Sequence, residues 1–232
     1  MGWHILSNLF KFDVSCYMTH STLAGIRELR AQHELTIDEI AEIRLPLGEV
    51  EFATCALPKP STGLEVKFSV AHLAAMAALG RSTMVIDEAA ASDPAVIALR
   101  EKVTVTDDGT SGAPTLVEII LNDGRRLTAA RDVNTPERDL VLQRRRLEEK
   151  FRTITTPHLG ADRAEAVIAV VEEACVAEFN PRHLAQLAST VPPVSSSPGA
   201  IGRGGAEFLI QQSEACETPD PGPHQRSHPP IT

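Results

Sequence analysis

A chain of 232 residues, 43% apolar and 23% charged, has the make-up of a globular protein and is long enough for one core of about 100 to 200 residues plus extensions. Its net charge of −9 gives no general attraction for nucleic acid or an anionic membrane surface, so neither is expected as a partner. No window reaches the roughly 18 consecutive apolar residues of a membrane span, and the first residues lack the basic-then-apolar pattern of a signal peptide, so a cytoplasmic location is expected.

The stretch KFDVSCYMTH, Lys11 to His20, reads by itself as a polar entry into a helix. The helix is predicted over Ser21 to His33, where Thr or Ser supplies the cap and Leu23, Ile26 and Leu29 fall at helical spacing. His20 then stands at its N-terminus. Beyond it, Ile43, Leu45 and Leu47 alternate with Arg44 and Pro46, and Val50, Phe52 and Thr54 alternate again, which predicts two strands around Gly48. Loop punctuation at Pro58 to Thr62 introduces a small-residue apolar helix over Leu64 to Leu79, expected to be buried, with Gly80 as its stop.

Asp93 and Pro94 are a cap and a first helical residue for a helix through DPAVIALREKV. VTVTDD is a predicted strand, and TLVEIILNDGRRLTAAR a hairpin turning on Asn122-Asp123-Gly124. Helical patterns return over Leu140 to Ile154, where the charged run QRRRLEEK is assigned to a solvated face, and over Arg163 to Phe179. Antiparallel strand pairs with segregated helices define an α+β fold: a small antiparallel sheet with helices packed on one side, followed by C-terminal helices. From Val191 onward Pro, Gly and Ser displace large apolar residues, which predicts a disordered tail. His224 and His228 in that tail do not form a metal site, since a flexible segment does not hold ligands in place. The four cysteines, Cys16, Cys55, Cys175 and Cys216, have no paired spacing and read as free thiols, with neither a disulfide framework nor a zinc site.

Three phrases in order, FKFDVSCYMTHSTLAGIREL, PSTGLEVKFSVAHLAAMAAL and DEAAASDPAVIALREKVTVTDD, resemble segments of the MmgE/PrpD family. The resemblance covers Trp3 to Leu187. It implies an α+β lid domain over 1–136, C-terminal helices over 137–190 that return to pack on a helical domain, and a tail over 191–232 outside the family pattern. The family includes 2-methylcitrate dehydratase, cis-aconitate decarboxylase and iminodisuccinate epimerase, which act on small polycarboxylates without a metal or organic cofactor. The implied chemistry is proton transfer at a carbon next to a carboxylate, with a lysine clamping that carboxylate as a point charge.

By this resemblance Lys11 corresponds to the family's active-site lysine, Cys16 to a Cys or His that acts as acid or base, and His20 to the Thr-His before the helix. His72 falls where decarboxylase-like members have a tyrosine, so the resemblance does not name the reaction. Read without it, Lys11 is a surface lysine, Cys16 a small buried hydrophobe, His20 a capping residue and His72 a core histidine. Lys67 and Ser69 are expected to position the helix. Family members begin with a helical domain of about 250 residues that supplies much of the site, so the resemblance implies a truncated form, inactive alone, partnered by a complementing helical-domain chain or a second copy. A non-catalytic oligomerisation or binding module is the alternative. In either case the helices from Leu140 to Phe179 are expected to expose apolar surface.

Overall fold

The computed structural model describes residues 7–109, 114–174 and 180–189. The chain divides into Met1–Thr190 and Val191–Thr232, and the second unit, with the expected disordered tail, His224, His228 and Cys216, lies outside the described residues, as does Cys175. The first unit is α+β. Its eight helices among the described residues are α1 (His20–His33), α2 (Glu49–Cys55), α3 (Gly63–Val66), α4 (Val70–Ala78), α5 (Pro94–Arg100), α6 (Leu140–Leu159), α7 (Ala161–Ala174) and α8 (Pro181–Ala188), with strands β1 (Ile40–Leu47), β2 (Val103–Asp107), β3 (Thr115–Leu121) and β4 (Arg126–Arg131). None of these helices is long and apolar enough to cross a membrane.

The sheet runs β2-β1-β3-β4. The sequence predicts antiparallel pairing throughout, and β1 does pair antiparallel with β3, and β3 with β4, but β2 joins β1 in parallel. The reason is the connection: four helices lie between β1 and β2, enough chain to carry it back to the same end of the sheet. Pro46 is tolerated in β1 because pairing with β3 stops at Arg44, leaving Pro46 opposite β2 alone. A bulge between Ile40 and Glu42 corrects the odd spacing of Ile40 and Ile43, so that both are buried.

The other face of the sheet carries a cluster of ion pairs. Arg44 bonds Glu42 at 2.8 Å and approaches Glu118 at 3.6 Å, while Arg126 reaches Glu118 at 3.1 Å. On the apolar face α1 presents Leu23, Ile26 and Leu29, all with at most 1% of their surface exposed, to a core shared with Ile43, Leu45 and Ile119. Burial of each such side chain contributes about 1.5–3 kcal/mol. Every residue of the Ala-rich α4 is buried, as its composition predicts.

Two predicted elements change. Val50 to Thr54 is not a strand: Gly48 starts helix α2, Glu49 and Glu51 sit in its first turn, and Val50 is exposed while Cys55 is buried. Phe52 and Cys55, three residues apart, share the helical face that meets the core, and the alternation at Val50 and Thr54 plays no part. The single helix expected from Leu64 breaks at Lys67–Ser69, where the Ser69 hydroxyl donates to the Leu57 carbonyl at 2.6 Å and accepts from the His72 N–H at 3.4 Å, capping α4. The cap at Asp93, the stop at Gly80 (φ +69°) and the turn at Gly124 (φ +85°) form as predicted. α6 outruns its predicted end and includes Pro157 in its last turn; α7 begins at Ala161, and residues 175–179 of the predicted helix lie outside the described residues. α6 and α7 pair through a two-pronged Arg152–Glu165 contact at 2.6 and 3.0 Å. Between them runs an apolar groove of about 450 Å³ lined by Leu147, Phe151, Val167, Ile168 and Val171.

Candidate functional site

The segment before α1 has little regular structure, yet it is held at many points. The Val14 N–H donates to the Thr83 carbonyl at 3.0 Å and the Cys16 N–H to the Lys67 carbonyl at 2.9 Å. The Tyr17 hydroxyl donates to the Val133 carbonyl at 2.6 Å, and the Lys150 ammonium of α6 donates to the Lys11 carbonyl. At its centre Asp13, 4% exposed, accepts two bonds from the Arg27 guanidinium, at 2.6 and 3.1 Å, and a third from the Thr83 hydroxyl. Burial raises the Asp13 pKa, but Arg27 and Thr83 together outweigh it and hold the carboxyl below its usual range.

α1 divides its surface by helical spacing. Leu23, Ile26 and Leu29 enter the core, while His20, Ala24 and Arg27 face a cavity of about 530 Å³ whose wall also includes Tyr17, Arg131 and Arg146. His20 is 5% exposed and lies 4.9 Å, centroid to centroid, from the Tyr17 ring. Its Nε2 is buried without a hydrogen-bond partner among the described residues. A neutral imidazole with its proton on Nδ1 has the Nε2 lone pair free to take a proton. Burial lowers the His20 pKa, Asp13 and Ser15 oppose the shift, and Lys11 and Arg27 reinforce it, so the ring is the free base at neutral pH.

The other predicted residues are placed differently. Lys11 is exposed, between the wall residues Phe10 and Phe12, and its charge is felt at His20. Cys16 is half-buried against the core and faces Cys55, away from the cavity wall. His72 is completely buried; its Nε2–H donates to the Ala90 carbonyl at 2.8 Å and its Nδ1 faces the Arg100 guanidinium at 3.5 Å. The structure thus places His20 in the cavity wall and sets Cys16 and His72 apart from it, while Lys11 is exposed on the same segment and is not one of the residues lining the cavity. Among the described residues no group of three or more His, Cys, Asp or Glu is arranged to hold a metal ion.

Burial, then the neighbouring Cys16 thiol, pushes the Cys55 thiol up to about 12. Cys55 is therefore expected to resist iodoacetamide in the native protein at neutral pH and to be alkylated only after denaturation. Peptide mapping by mass spectrometry reads this, and fast native labelling of Cys55 would contradict its placement.

The family model for the MmgE/PrpD C-terminal domain matches residues 14–174. The chain belongs to the MmgE/PrpD family. The match takes in Cys16, His20, His72 and the whole sheet, and begins three positions after Lys11. A search of the curated proteins finds no match. In this MmgE/PrpD domain the residues missed by reading the sequence are Asp13, Tyr17, Thr83, Arg27 and Arg146. Arg27 alone carried a local signal, its spacing of seven from His20 along α1.

Proposed function

We propose that this MmgE/PrpD domain forms half of a lyase or isomerase site for a small polycarboxylate, completed by a helical domain on the same or another polypeptide. The observation that carries the reading is the buried Nε2 of His20, unpartnered among the described residues, in the wall of a cavity also lined by arginines. His20 takes a proton through Nε2 from the carbon next to a substrate carboxylate, becoming imidazolium, and the electron pair delocalises into that carboxylate. Lys11, whose charge is felt at His20, stabilises the added negative charge as a point charge. Delivery of a proton to the opposite face of that carbon by an acid of the complementing half gives epimerisation; loss of a hydroxyl from the adjacent carbon gives dehydration, with its proton also supplied by the complementing half. Cys16 and His72 support the fold around this centre.

The test is turnover of cis-aconitate, 2-methylcitrate and iminodisuccinate by this chain with and without a co-expressed helical domain. His20→Asn is expected to lower the rate of the complemented protein by about 10²–10⁴-fold, and Lys11→Ala to raise KM. The reading is lost if the complemented protein acts on none of the three, or if His20→Asn leaves the rate intact.

A second reading, a non-catalytic assembly module, draws on the α6–α7 groove and on the exposure of Leu140, Val141 and Val171. It differs in expecting self-association or partner binding with no affinity for polycarboxylates.

A further inference from the structure

The run QRRRLEEK in α6, predicted as a solvated face, is sorted by the fold into unlike roles. Arg144 bonds Glu148 at 2.7 Å and also pairs with Glu172 of α7, and Arg145 is exposed. Arg146 turns to the body of the domain, its guanidinium carbon 3.8 Å from the centroid of the Phe12 ring. There it lines the His20 cavity and an adjoining cavity of about 520 Å³, and the two share Phe12, Asp13 and Arg27 as wall.

Four arginines line these two cavities, and three are committed: Arg27 to Asp13, Arg131 to Glu28, and Arg81 to Asp93 at 3.2 Å. Arg146 makes no ion pair among the described residues. None of Asp132, Glu137 and Glu149, the acids facing the cavities besides Asp13, forms an ion pair with it; Asp132 accepts the Asn134 N–H at 2.8 Å and Glu137 the Asp139 N–H at 3.0 Å. A guanidinium stacked on an aromatic ring keeps its N–H edge free, in the fork that matches a carboxylate.

We propose that Arg146 binds a second carboxylate of the substrate, so that the cavity selects di- and tricarboxylates over monocarboxylates. The proposal rests on reading the His20 cavity as the substrate site. His20, on α1, and Arg146, on α6, line one cavity, and a ligand that engages both carries its reacting carbon at one end and an anionic anchor at the other. The Lys150 bond to the Lys11 carbonyl pins α6 beside Phe12 and keeps the guanidinium in place.

The full chain is titrated with tricarballylate, an unreactive tricarboxylate, and with propionate. Affinity is measured by calorimetry and the His20 ring signals by NMR. Arg146→Gln is expected to weaken tricarballylate binding at least tenfold and leave propionate unchanged. Arg146→Lys, which keeps the charge but not the fork, should recover only part of the loss, and matching melting curves for both variants exclude misfolding. Equal tricarballylate affinity in wild type and Arg146→Gln overturns the assignment whatever His20 does, as does wild-type protein that binds no tricarballylate. Arg146-dependent binding with unmoved His20 signals upholds the anion site and overturns the His20 reading instead.

Discussion

Asp13→Ala is expected to destabilise the domain by about 3 kcal/mol, because it leaves the Arg27 guanidinium and the buried Thr83 hydroxyl without their shared acceptor. The figure sits at the low end for a broken buried pair because the Arg27 side chain is 40% exposed and water recovers part of the loss. Asp13→Asn keeps one acceptor oxygen and should lose less. Urea denaturation with an unchanged m-value measures both, and a loss below about 1 kcal/mol for the alanine variant would show that the network holds nothing in place.

The same network predicts a pH dependence with a definite sign. The Asp13 pKa is lowered by folding, so its contribution is complete above the unfolded value of about 4 and is lost as pH falls through the lowered folded value. Wild type and Asp13→Asn should therefore converge in acid. His20 and His72 are also lowered, mainly by burial. Below about pH 6.5 the unfolded chain takes up protons that these two folded histidines do not, so stability falls with pH there first.

The second large effect is expected at Gly63→Ala, also about 3 kcal/mol. A Cβ at this position would lie 2.7 Å from both the carbonyl carbon and the oxygen of Asp87, which are backbone atoms with little room to yield. Asp87 is held by capping the Ala90 N–H at 3.1 Å, and the Gly63 N–H donates to Glu88 at 3.0 Å, so neither strand of chain can retreat without breaking a bond. Gly25→Ala is the matched comparison: its nearest neighbour, 3.0 Å away, is a Val117 methyl group that can shift. Thermal unfolding of the two variants should show the larger drop in Tm for Gly63→Ala, and the reverse order would contradict the packing of α3 against the 87–88 backbone.

Elements built on local chemistry were legible. The Asp93-Pro94 cap, the Asn122-Asp123-Gly124 turn, the leucine and isoleucine spacing of α1 and the alanine content of α4 each specify structure through neighbours a few residues away. α2 was not legible, because its short run alternates as a strand does while Phe52 and Cys55 also stand three apart on one helical face, and only the burial of Cys55 with the exposure of Val50 decides between them. Nor was the parallel pairing of β2, which depends on where four intervening helices return the chain.

The candidate site divides along the same line. By itself the sequence determined the family, carried by three phrases, and the apolar face of α1 that leaves His20 at its N-terminus. Only the tertiary structure decided that Asp13 meets Thr83, that Cys16 turns to Cys55, that His72 is spent on Ala90 and Arg100, and that Arg146 leaves its charged run to stack on Phe12. The physical reason is range. Caps, turns and periodicity act through backbone bonds across one or two turns of chain, whereas a cavity and its charge balance arise from side chains brought together by burial of a core to which none of them belongs.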